Sequence, residues 1–97
     1  MMVTVGRTYR TRAVHQLPIS FGEPWSFPHE HDYTFYVEAE GGTPTDLLDA
    51  WWAEEEPLAA DPSTVENIAE RMLHAAPTFV TAVTVWEDAA RWGKAER

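Results

Sequence analysis

The sequence contains no cysteine, which excludes disulfides, thiolate metal ligands and cysteine nucleophiles together. Basic residues are scarce, with seven lysines and arginines against sixteen acids and a net charge of -9. A field of that sign repels phosphate backbones and anionic lipid, so neither nucleic acid nor a membrane surface is an expected partner. Long apolar runs are missing too. No stretch approaches the roughly 20 apolar residues of a membrane span, and the opening "MMVTVGRTYRTRAVHQ" lacks the apolar centre of a signal peptide. These absences point to a soluble, cytoplasmic protein. Internal repeats and low-complexity segments are likewise not found.

What is present suits one domain over residues 1–97, long enough for a single core of two packed layers. A hydrophobic fraction of 44%, with five tryptophans, argues against disorder and supplies rings for a core or for a subunit contact. Residues 3–15 alternate imperfectly and are rich in threonine, tyrosine and valine, as in a strand with one solvated face. "LPISFGEPWSFP", residues 17–28, holds three prolines and a glycine and predicts an irregular loop. In "HEHDYTFYVEAE", strict alternation sends His29, His31, Tyr33, Phe35, Val37 and Ala39 to one face and Asp32, Thr34, Tyr36, Glu38 and Glu40 to the other.

Two helices should follow. Thr43 caps the first, with Pro44 in its opening turn, Leu47, Leu48, Trp51 and Trp52 on its apolar stripe, and Pro57 as its stop. Ser63 and Glu66 form an S-x-x-E capping box for the second, whose stripe runs through Val65, Ile68, Ala69, Met72, Leu73 and Ala76. Residues 78–87 read as a strand, and "DAARWGK" as a short strand or turn. The order strand, strand, helix, helix, strand, strand predicts an α+β fold, with adjacent strands antiparallel and both helices on one face.

Three of the four histidines lie at neighbouring strand ends. If those strands pair around the 17–28 loop, His15 approaches His29 and His31, and three imidazoles make an open metal site. Such a site binds zinc at about 2.0–2.1 Å and leaves one tetrahedral position vacant. Iron, nickel or copper would also accept three imidazoles. By spacing alone, an H-x-H is equally met by surface or hydrogen-bonded histidines.

The succession "RAVHQL", "PHEHDYTFYVEAE", "PSTVENIAERM" and "VTVWEDA" resembles the 6-pyruvoyltetrahydropterin synthase and 6-carboxytetrahydropterin synthase family over nearly the full length. That family has a histidine closing strand one, H-G-H opening strand two, a P-T-x-E-N-I-A helix start and a glutamate ending a late strand. The resemblance implies the tunnelling-fold type, a four-stranded antiparallel sheet with two helices on one face, assembling as a trimeric or hexameric ring with sites between subunits. It implies zinc held by His15, His29 and His31, and Glu87 as the anchor of a pterin ring, where a carboxylate accepts two N–H groups side by side. A solvent-facing strand end is the other reading of Glu87.

The departures concern proton transfer. The family uses a cysteine shortly before H-G-H and an Asp-His pair between the helices, whereas this chain has no cysteine and its "EEEPLAAD" connection has no histidine. Glu23 falls near the cysteine's place and is the candidate base, with an ordinary loop acid as the other reading. The implied activity is a zinc-dependent lyase, isomerase or cyclase acting on a small pterin-like or other oxygenated substrate. The alternative is a catalytically silent small-molecule binder or oligomeric scaffold. His74, near the end of the second helix, suits the helix dipole and is taken as structural.

Overall fold

The alternation in residues 29–40 builds the central strand of the sheet, because a period of two puts every second side chain against the helices. The computed structural model describes residues 3–15, 29–59, 64–88 and 90–97. Its elements are β1 (Thr4–His15), β2 (His29–Glu40), α1 (Thr45–Ala59), α2 (Val65–Ala75), β3 (Val80–Glu87) and β4 (Arg91–Glu96). The four strands form one antiparallel sheet in the order β1-β2-β3-β4, and the two helices lie on one face. Tyr33, Phe35, Val37 and Ala39 of β2 are fully buried under the helices together with Val83 and Val85 of β3. The expected face of β2 is therefore the observed one.

The helical stripes explain the second layer. Val65, Ile68, Ala69, Met72 and Leu73 of α2 are all buried, as their spacing requires. On α1, Leu48, Trp51 and Trp52 are buried, and Trp52 lies between Tyr9 of β1 (ring centroids 4.6 Å apart, stacked) and Phe35 of β2 (4.9 Å). Leu47 departs from the stripe and is 49% exposed. The N-cap of α2 is Thr64 rather than Ser63, with the Asn67 N–H donating to its Oγ1 at 3.4 Å. Thr43 does not cap α1: its hydroxyl donates back to the Glu40 carbonyl at 2.7 Å and closes the turn leaving β2. Pro57 does not stop α1 either. It sits in the last turn, where a missing N–H forfeits one helical bond, and the helix runs on to the fully buried Ala59.

Gly93 of β4 is buried where the start of α2 crosses the sheet, and a Cβ there would stand 2.9 Å from the Glu66 Cα. Bare backbone at that point lets the helix seat on the sheet. Among the described residues, no helix is long and apolar enough to cross a membrane.

Candidate metal and ligand site

The β1–β2 register sets His15 directly opposite His29 and Ala13 opposite His31. Residues 29 and 31 lie on the face of β2 that carries Tyr33, so the three histidine positions share one face at one end of the sheet. The side chains of His15 and His29 lie outside the described set. Directly opposed antiparallel residues have Cα atoms about 4.5–5.5 Å apart, and the next position on that face is about 6.6–6.8 Å along the strand. Those spacings bring the three backbone positions together, and three imidazoles are a donor set that zinc accepts.

The β2–β3 register brings Glu87 opposite Tyr33 and onto the same face. Glu87 is only 7% exposed, which rules out a solvent-facing strand end. A buried carboxylate needs a polar partner, and Glu87 Oε1 stands 3.1 Å from His31 Nε2. The other ring nitrogen, Nδ1, is 3.3 Å from Asp88 Oδ2 in the β3–β4 turn. These three residues form the cluster of metal-ligating groups found among the described residues. Glu23, the candidate base, lies outside the described residues.

Two members of the site escaped the sequence reading. Asp88 follows the strand, and its carboxylate reaches His31 from just beyond the end of β3. Tyr33 looked like an ordinary core aromatic, yet its ring centroid is 6.1 Å from that of His31. Burial, and then the charges of Glu87 and Asp88, push the Tyr33 phenol up to about 12. It is a neutral hydroxyl beside a buried carboxylate. The position of Asp88 could have been suspected from its acidity after "WE", but nothing in the spacing fixed its direction.

An arrangement of two strands, two helices and two strands, closed into one antiparallel sheet with both helices on one side, is the tunnelling type of α+β fold. In particular, the chain is similar in structure to 6-pyruvoyl tetrahydropterin synthase of Caenorhabditis elegans, with a TM-score of 0.72 and 21% sequence identity over 100% of this chain and 96% of that one. No family model matches the sequence, and no curated protein matches it.

Proposed function

We propose that this protein is a zinc-dependent lyase, isomerase or cyclase that acts on a small pterin-like or other oxygenated substrate. The observation that carries the proposal is the convergence at one sheet end: His15 opposite His29, His31 on the same face, and the buried Glu87 carboxylate 3.1 Å from His31 Nε2. His15, His29 and His31 would hold the ion, which supplies Lewis-acid polarisation of a carbonyl or enolate oxygen. Glu87 binds the substrate by accepting adjacent N–H groups, as a 2-amino-4-oxo heterocycle presents them. Tyr33, kept neutral, can donate its hydroxyl to the same ligand. Glu23 moves the proton. The pterin class is supported by the fold shared with the nematode synthase.

The subunits would assemble as a trimer or hexamer in the cytoplasm. Zinc content and turnover of pterin-like substrates test the proposal together; the standard synthase conversion of 7,8-dihydroneopterin triphosphate is not expected, since the family's cysteine and Asp-His pair are missing. His29→Ala and His31→Ala should abolish both, and Glu23→Gln should abolish turnover while zinc remains bound. Unchanged zinc stoichiometry in the histidine variants would reject the site.

One observation favours a second reading, a binder without catalysis: the chain has no cysteine, and the stretch "EEEPLAAD" that ends α1 and leads on from it has no histidine. Thermal shift with pterins, with and without chelator, separates the two. Tight metal-dependent binding without turnover selects the binder.

A further inference from the structure

We infer that Asp88 is a positioning residue for the metal centre, holding the Nδ1–H of His31 so that Nε2 presents its lone pair to the ion. The inference rests on the metal reading above. A neutral imidazole carries one N–H, and His31 has a carboxylate at each nitrogen: Glu87 Oε1 at 3.1 Å from Nε2 and Asp88 Oδ2 at 3.3 Å from Nδ1. The two acids compete for one hydrogen. If Glu87 wins, the N–H sits on Nε2, and the nitrogen turned toward Glu87 cannot bind a metal. If Asp88 wins, Nε2 is a ligand. Metal-bound histidines commonly give their second N–H to a carboxylate, and loss of that partner lowers metal affinity about 10–100-fold.

The backbone of Asp88 supplies an independent argument. Its φ is 59°, and it is the non-glycine residue with positive φ among those described. Glycine meets that conformation without strain, and aspartate tolerates it at a cost. A turn selected for its backbone alone would be better served by glycine. What glycine cannot provide is the carboxylate facing Nδ1.

Asp88→Gly therefore separates backbone from side chain. In metal-free protein, nitrogen-15 NMR should find His31 as the Nδ1–H tautomer in the unsubstituted chain and shifted toward Nε2–H in Asp88→Gly. Zinc affinity, measured by competition with a chromophoric chelator, should fall about 10–100-fold in the glycine variant, while its metal-free melting temperature stays equal or rises. Asp88→Asn, whose amide oxygen still accepts, should fall between. Adding Glu87→Gln to Asp88→Gly should restore part of the tautomer balance. An Nε2–H tautomer in the unsubstituted chain overturns the inference, as does undiminished zinc affinity in Asp88→Gly. An unsubstituted chain that takes up no zinc overturns the metal reading and this inference with it.

Discussion

Tyr9 shows how one side chain ties the first strand to the helical layer. It stacks on Trp52, its hydroxyl donates to Asp49 Oδ1 at 2.7 Å, and Arg7 Nε meets the same oxygen at 3.1 Å. Burial, then the hydrogen bond to Asp49 and its charge, hold the phenol well above its ordinary value of 10.0. A tyrosine pKa raised by folding contributes stability that is fully present below the unfolded value, here 10.0, and is lost as pH rises beyond it. Tyr9→Phe should therefore lower stability near neutrality by about 0.5–1.5 kcal/mol, the net worth of one hydrogen bond, and should flatten the alkaline decline above about pH 10. Urea midpoints across that range check both signs, and an alkaline decline of unchanged slope would show that Tyr9 is not its source. Legibility at this scale was uneven. His29 and His31 could be put on one face from alternation alone, because strand geometry fixes that relation. Asp88 could not be connected to His31, because the contact depends on the conformation of a turn and not on periodicity.

At the scale of elements, α2 and β2 were legible because strong patterns coincide with burial: Val65, Ile68, Ala69, Met72 and Leu73 of the α2 stripe are covered, and Ala76 falls just past the helix as its partly buried C-cap. The ends of α1 were not. Thr43 and Pro57 carry the right chemistry for a cap and a stop, but the turn after β2 takes the Thr43 hydroxyl, and α1 continues to Ala59 past Pro57 at the loss of one helical bond. How α2 attaches to the sheet was also hidden, since it depends on partners distant in sequence. At its start, Gly93→Ala would drive a Cβ to 2.8 Å from the Glu66 N and 2.9 Å from its Cα, both rigid backbone atoms. The expected cost is about 1–3 kcal/mol, typical of overpacking, and a denaturant midpoint equal to that of the unsubstituted chain would contradict this seating. At the other end, Arg97 donates from Nη2 to the carbonyls of Leu73 and Ala76, each at 3.0 Å, and from Nε to that of Val80 at 2.9 Å. A cation there meets the carbonyl of Leu73, which also accepts from the Ala76 N–H at 3.2 Å, and that of the C-cap Ala76, and so ties the end of α2 to β3. Arg97→Ala should cost about 1–2 kcal/mol, and faster amide exchange should concentrate in the last turn of α2.

For the whole molecule, the strand order leaves β1 and β4 as the two edges of the sheet. Among the described residues β1 is a sheet edge twelve residues long, and such edges invite pairing with another chain, which is the physical basis for expecting a ring. The topology itself was legible, because neighbouring strands with no helix between them pair antiparallel. Assembly is a separate question, since an edge says only that backbone groups are available. Charge gives a way to test it. Each copy carries -9, so joining copies must overcome mutual repulsion. Three of the seven basic residues, Arg7, Arg10 and Arg12, lie on β1, where they reduce that repulsion at the edge. The screening length falls from about 30 Å at 0.01 M salt to about 10 Å at 0.1 M. Light scattering should therefore find a larger mass at about 0.2 M salt than at about 0.01 M, reaching three or six times that of the chain. Replacing Arg10 and Arg12 by glutamine should shift the transition to higher salt. A protein that stays monomeric at both ionic strengths would contradict the ring, and an oligomer indifferent to salt would show that apolar contact, not charge, governs its assembly.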